Sequence, residues 1–409
     1  MRYKLSAPSS VKASIQLPAS KSISNRALII NALGNGTFVP ENLSDCDDTQ
    51  VMIKALTEGN EVIDIMAAGT AMRFLTAYLS VSTGEHTITG TARMQQRPIQ
   101  ILVNALRELG ADIEYTVNEG FPPLRIKGTE LIKNKITLKG NVSSQYISAL
   151  LMIGPVLKNG LTLQLSGEII SRPYINLTLQ LMNDFGAQAA WTSPDSITVA
   201  SQPYKSIPFT IESDWSAASY WYQMAALSTE AEIELNGLFR NSYQGDSRGA
   251  EVFARLGVST EFTSKGVKLK KTGGLPCKLE EDFIDIPDLA QTFVVTCALL
   301  NIPFRFTGLQ SLKIKETDRI AALTAELRKL GYVIEEENES VLMWNGKRCQ
   351  PDAIPVINTY EDHRMAMAFA PASLRISNLQ IADPQVVSKS YPSYWIDLKK
   401  AGFSIEEEI

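Results

Sequence analysis

The run Ser20-Lys21-Ser22-Ile23-Ser24-Asn25-Arg26 sets two cations and three hydroxyls directly before the apolar stretch Ala27–Leu33. A helix opening there presents unpaired N–H groups and the positive end of its dipole beside those side chains, a setting for a phosphate or carboxylate. An N-cap with a solvated first turn is the plain alternative. The pattern recurs along the chain. Further cations stand near other helix starts and connections: Arg97, Lys313, Lys315, Arg319, Arg364 and Lys389. Each alone is most often a solvated charge or a surface ion pair. As a set beside helix starts they point to small polyanionic ligands.

Other groups invite chemistry. Ser143-Ser144-Gln145 offers two hydroxyls at the start of an apolar helix, either a phosphate cradle or an ordinary Ser N-cap. Asp288 opens an almost wholly apolar helix, where desolvation is expected to raise its pKa and fit it for proton transfer; capping is its alternative. Glu316, between Lys315 and Arg319, is either an acid–base group or half of a surface salt bridge. His363 is a proton carrier or a packing histidine. Cys46 precedes Asp47-Asp48, an anionic setting that disfavours a thiolate.

The composition narrows the classes. With 409 residues the chain exceeds one ordinary core, so two domains are expected. A net charge of −5 argues against a general nucleic-acid binder. No run approaches the roughly 20 apolar residues of a membrane span, and Met1-Arg2-Tyr3-Lys4 leads into no leader-like stretch. Four scattered cysteines (Cys46, Cys277, Cys297, Cys349) and two histidines (His86, His363) make a structural zinc site a poor reading. A cytoplasmic protein with reduced thiols is expected. No exposed apolar stripe or heptad run suggests a partner, so a monomer is expected.

Internal spacing gives the organisation. Amphipathic stretches close on Gly110, Gly186, Gly257, Gly331 and Gly402, with intervals of 76, 71, 74 and 71 residues, and Gly59 is a weaker sixth at an interval of 51. A Gly just past the last turn is the expected left-handed cap. Polar openings of apolar helices keep the same beat: 47 residues from Ser20 to Ala67, then 75, 71, 73 and 74 to Val142, Ser213, Ile286 and Tyr360. The chain therefore reads as six copies of a unit of about 73 residues, each with two helices and several short strands. The first copy lacks roughly two dozen residues around 60–66. Six units suit two domains of three, divided near 208–213.

These residues carry a family resemblance. Leu17-Pro18-Ala19-Ser20-Lys21-Ser22-Ile23-Ser24-Asn25-Arg26 resembles the opening motif of the 5-enolpyruvylshikimate-3-phosphate synthase family of enolpyruvyl transferases. So do Ala68-Gly69-Thr70-Ala71-Met72-Arg73, Val142-Ser143-Ser144-Gln145, Ser171-Arg172-Pro173-Tyr174, Ile286-Pro287-Asp288, Lys315-Glu316-Thr317-Asp318-Arg319 and Tyr360-Glu361-Asp362-His363-Arg364-Met365-Ala366, in the family's order. The resemblance implies an α/β fold of two domains, each of three βαβαββ units (an inside-out α/β barrel), with a cleft between them. The domains would be 20–212 and 1–19 plus 213–409. It also implies enolpyruvyl transfer from phosphoenolpyruvate to the 5-hydroxyl of shikimate 3-phosphate, with phosphate leaving through a tetrahedral intermediate. That is a shikimate-pathway step toward chorismate and the aromatic amino acids, and the target of glyphosate. No metal or organic cofactor is implied.

By the same resemblance, Lys21, Ser22, Arg26, Ser143, Ser144, Gln145, Ser171, Tyr174, Asp288, Ser311 and Lys315 would meet shikimate 3-phosphate. Lys21, Gly69, Arg97, Gln145, Arg319, Arg364 and Lys389 would meet phosphoenolpyruvate. Asp288 would take the hydroxyl proton, and Glu316 and Lys21 are the candidates for the methylene carbon. The sequence departs from the family at Ala67, where Asn is usual, at Ser311-Leu312-Lys313 in place of Asn-Trp-Arg, and in the short first unit. These departures bear on phosphoenolpyruvate affinity and glyphosate sensitivity. Two rivals stand beside this reading: the related transferase acting on UDP-N-acetylglucosamine, which usually carries a catalytic Cys, and a silent homologue that binds a phosphorylated ligand.

Overall fold

In the computed structural model, which describes residues 1–408, every repeat supplies two helices. In the first three repeats these are α1 (Lys21–Leu33) and α2 (Asp47–Thr57), α3 (Gly69–Val81) and α4 (Gln100–Leu109), α5 (Ser144–Ile153) and α6 (Arg172–Asp184). In the last three they are α7 (Trp215–Leu227) and α8 (Gly249–Arg255), α9 (Ala290–Leu299) and α10 (Arg319–Lys329), α11 (His363–Phe369) and α12 (Tyr394–Lys400).

The first helix of each pair is apolar on most faces, and a helix of that kind belongs in a core. All ten residues of α9 and twelve of the thirteen in α7 are buried. These helices pack on one another, α1 on α3 and α3 on α5, and likewise α7 on α9 and α9 on α11. The second helices bury one stripe only. In α4, Leu102, Val103, Ala105, Leu106 and Leu109 point inward while Asn104 and Glu108 stay in water. All six capping glycines have positive φ, from 61° at Gly59 to 115° at Gly110.

Among the described residues, five four-stranded sheets share one plan. The first strand of a repeat pairs in parallel with the second, the second pairs antiparallel with the fourth, and the third lies outside the fourth. In the third repeat these are Lys135–Lys139, Leu161–Ser166, Ser196–Val199 and Ala189–Ser193. The parallel step needs a helix to cross over, whereas the third and fourth strands, antiparallel neighbours, need only a tight turn between them. The chain's start completes two of the later sheets. Arg2–Ser6 lies antiparallel between Leu379–Ala382 and Ser404–Glu408 as the fourth strand of the last repeat. Val11–Gln16 runs parallel to Ala231–Asn236 as the first strand of the fourth.

The first repeat is the exception. Helix α2 ends at Thr57, and the next strand, Val62–Asp64, already belongs to the second repeat's sheet. The antiparallel pair that follows the second helix elsewhere is missing, which is the physical form of the short interval before Gly110. A single parallel bridge between Glu41 and Thr210 remains, with Glu41 N–H on Phe209 O at 2.8 Å and Ile211 N–H on Glu41 O at 3.0 Å. Phe38 and Val39 beside it are exposed.

The chain divides into two compact units, Ala19–Ile211 and Met1–Pro18 together with the stretch from Glu212 onward. The first holds repeats one to three and two of the sheets; the second holds repeats four to six and three sheets. The core of the second is rich in rings, among them Trp221, Tyr220, Phe253 and Phe293. No helix among the described residues is long and apolar enough to cross a membrane.

Candidate active site

In the unit Ala19–Ile211 the candidates sit at the openings of α1, α3, α5 and α6. Lys21 begins α1, its Nζ 3.3 Å from Oδ2 of the buried Asp48. Ser20 is the N-cap by position, yet its hydroxyl makes no capping bond and lies buried without a hydrogen-bond partner. Plain capping therefore does not explain that serine.

Arg26 is buried in the same helix. Its Nε donates to Thr178 Oγ1 at 2.7 Å, Nη1 to Ser22 O at 2.8 Å and Nη2 to Ser148 Oγ at 3.2 Å. No carboxylate among the described residues forms an ion pair with it. Burial pushes the guanidinium pKa down to about 10. A buried cation met only by neutral acceptors is costly, and an arriving anion relieves that cost.

Ser143 caps α5 by accepting the Gln145 N–H at 3.4 Å, while Ser144 is the first helical residue. Gln145 Nε2 donates to Thr70 Oγ1 at 3.2 Å, tying the opening of α5 to that of α3. Ser171 stands before α6 at φ 55°, a left-handed conformation that a non-glycine residue adopts at a cost, and Tyr174 follows in the first turn. Gly69 opens α3. A Cβ built there would lie 2.7 Å from Nη1 of both Arg73 and Arg97, so two guanidiniums converge on bare backbone.

The other unit gathers charges of both signs. Asp288 lies on the short turn Pro287–Leu289 before α9. Its Oδ1 is 3.3 Å from Lys315 Nζ and 3.4 Å from Arg319 Nη1, and its Oδ2 accepts from Arg364 Nη2 at 2.9 Å. Glu316 is held by Arg319 at 2.9 Å and by Lys389 at 3.2 Å. With its side chain 16% exposed, it is no surface bridge. Arg319 is the first residue of α10 and is buried; its Nε and Nη2 meet the two oxygens of Asp362 at 2.7 and 3.3 Å. Asp362 also caps α11, accepting the Arg364 N–H at 2.9 Å.

The electrostatics correct one expectation. Burial alone works to raise the pKa of Asp288, as its sequence setting suggests. Arg364, Lys315 and Arg319 outweigh it and hold the carboxyl well below the usual range. Burial likewise works against the charge of Arg319, and Asp362, Glu316 and Asp288 overcome it, so its pKa is raised. Asp246 goes the other way. Burial and then the charge of Asp288 push it up to about 6, while Ser216 donates to it. Ser216 Oγ in turn accepts from Arg364 Nη2 at 3.4 Å.

Two other candidates take quieter places. His363, the first residue of α11, is buried, its Nδ1 3.9 Å from Asp362 Oδ1. Ser311 lies in the turn Gln310–Ile314 with its hydroxyl buried and without a hydrogen-bond partner. Burial raises the Cys46 thiol pKa, in keeping with an unreactive thiol. Sequence reasoning gave no role to Asp48, Arg73, Ser216, Asp246 or Asp362. Asp362 had a signal, as the acidic residue immediately before a helix that begins His363-Arg364.

Repeated βαβαββ units whose helix starts gather cations and hydroxyls define an α/β protein suited to small polyanions. The fold is that of a solved EPSP synthase from Acinetobacter baumannii, with a TM-score of 0.79 at 20% identity over 99% of this chain and 100% of that one. The sequence profile of EPSP synthase (3-phosphoshikimate 1-carboxyvinyltransferase) matches residues 5–60 and 57–398. A 3-phosphoshikimate 1-carboxyvinyltransferase from Bacteroides fragilis is 76% identical over 406 residues, 99% of each chain. One from Vibrio atlanticus is 36% identical over 417 residues, covering 95% of this chain and 96% of its own. The chain belongs to the EPSP synthase family.

Proposed function

We propose that this protein moves the enolpyruvyl group of phosphoenolpyruvate onto the 5-hydroxyl of shikimate 3-phosphate and releases phosphate. The observation that carries this reading is Asp288 ringed by Lys315, Arg319 and Arg364. A carboxylate crowded by three cations is a base held in check. An anionic substrate competes for those cations, and as it draws them away the proton affinity of Asp288 rises toward that of a working base.

In this reading Lys21, Ser22, Arg26, Ser143, Ser144, Gln145, Ser171, Tyr174, Ser311 and Lys315 hold shikimate 3-phosphate. Arg97, Arg319, Arg364 and Lys389, with Lys21, Gln145 and the Gly69 backbone, hold phosphoenolpyruvate. Asp288 takes the proton of the 5-hydroxyl as its oxygen bonds to the central carbon of phosphoenolpyruvate. Glu316 or Lys21 gives a proton to the methylene carbon, which becomes a methyl group. The tetrahedral adduct then loses a methyl proton as its bond to the phosphate oxygen breaks, leaving the enolpyruvyl ether and inorganic phosphate. Fixed cations stabilise the charge that shifts from carboxylate to phosphate. A monomer in the cytoplasm completes the proposal.

Phosphate release by the purified protein tests it. Release is expected only when both substrates are present. No release, with tight shikimate 3-phosphate binding by calorimetry, would favour the silent homologue.

The crowding at Gly69 gives a sharper expectation. In Gly69→Ala the new methyl displaces the flexible ends of Arg73 and Arg97 rather than backbone, so the fold survives. The KM for phosphoenolpyruvate should rise by about tenfold or more, the loss of a charge-assisted contact, with the KM for shikimate 3-phosphate little changed. Steady-state kinetics with each substrate varied in turn decides it, and equal rises in both would count against this placement of Arg97.

A further inference from the structure

Glu326 is a fully buried carboxylate that the proposed chemistry does not use. It sits on α10 seven residues after Arg319, which is two turns along one face of the helix. Its Oε1 accepts from the Tyr360 hydroxyl at 2.6 Å. Its Oε2 accepts from the Asn358 N–H at 3.0 Å and from Lys329 Nζ at 2.7 Å. Lys329 Nζ also donates to Val356 O at 2.8 Å. The far end of α10 thus grips residues 356–360, while Arg319 at its near end grips Asp362.

The gripped segment needs holding. Tyr360 and Glu361 have φ values of 54° and 56°, two successive non-glycine residues in the left-handed region. Such a pair persists only where its surroundings impose it. The turn closes with Asp362 N–H on Thr359 O at 2.8 Å and delivers Asp362 to Arg319 and Arg364 to Asp288. Burial and the hydrogen bond to Glu326 push the Tyr360 phenol up to about 12, so it remains a donor at working pH.

We propose that Glu326 and Tyr360 are positioning residues: their hydrogen bond fixes the left-handed turn that aims Asp362 and Arg364, and so sets the affinity for the anion that Arg319 and Arg364 bind. The inference rests on the reading of those arginines as phosphoenolpyruvate ligands.

Tyr360→Phe removes only the hydroxyl of a partly exposed ring, and Glu326→Gln keeps the size of the buried side chain. In each variant the KM for phosphoenolpyruvate should rise about tenfold, the effect of losing one charged hydrogen bond, with kcat and the KM for shikimate 3-phosphate within about twofold. Amide hydrogen exchange across 359–365 should quicken, with exchange in α7 and α9 unchanged. Unaltered kinetics and exchange in Tyr360→Phe would overturn the proposal, even if Glu326→Gln fails to fold. So would equal rises in both KM values with a lowered melting temperature. If the wild-type protein shows no turnover, the activity reading fails by itself. Exchange then decides: quickening confined to 359–365 supports the clamp, and no change overturns it.

Discussion

Replacing Asp288 by Asn should lower phosphate release about a thousandfold or more while both substrates still bind, because an amide cannot accept the hydroxyl proton. The substitution also removes a negative charge that competes for Lys315, Arg319 and Arg364. Phosphoenolpyruvate should therefore bind as tightly as before or more so. Calorimetry alongside a phosphate-release assay separates the two effects. A variant retaining a tenth of the rate would remove Asp288 from the proton transfer.

The same residue has a signature in stability. Its folded pKa is depressed below the ordinary carboxylate value of about 3.9. A depressed pKa contributes stability that is present above the unfolded value and is lost as pH falls through the folded value. The stability difference between wild type and Asp288→Asn should accordingly hold steady at neutral pH and shrink once the solution falls below about pH 4.

The second large effect belongs to Asp362. It lies wholly inside the protein against the buried Arg319 and caps α11. Asp362→Ala leaves that guanidinium inside without its two-oxygen partner and releases the N–H of Arg364. Breaking a buried pair from one side costs about 3–5 kcal/mol, and turnover should fall with it because both arginines lose their aim. Denaturant unfolding with the activity assay checks this. A loss under about 1 kcal/mol, the worth of a surface pair, with full activity would mean that Arg319 finds other support.

Much of the scaffold could be read from spacing, since capping glycines and polar helix starts are local features. Gly110, Gly186, Gly257, Gly331 and Gly402 each close a helix in the structure, and the shorter interval after Gly59 marks the repeat without its strand pair. Strand partners were less legible. Val11–Gln16 alternates like any strand, and nothing in it names Ala231–Asn236, over two hundred residues away, as its neighbour. The site divides along the same line. The cations at helix starts were visible from residue type and position. What encircles Asp288 was not, because Arg364 lies 76 residues further along the chain and only the fold brings the two within 2.9 Å. Burial of Asp288 was legible and the answering charges were not, so its pKa shift was expected in the wrong direction.

The placement of the first strands bears on how this chain is made. Residues 1–18 leave the ribosome well before their sheet partners at 231–236, 379–382 and 404–408. The stretch 19–211, whose partners are all contiguous, has everything it needs to collapse during synthesis, and domains generally fold as units in that order. The other half must wait with a tethered pair of strands until residues 404–408 are free. Such distant pairing is slow, because the loop entropy is spent before any contact rewards it. The strand 404–408 thus comes home to 2–6, and deleting either strand would interrupt the same sheet.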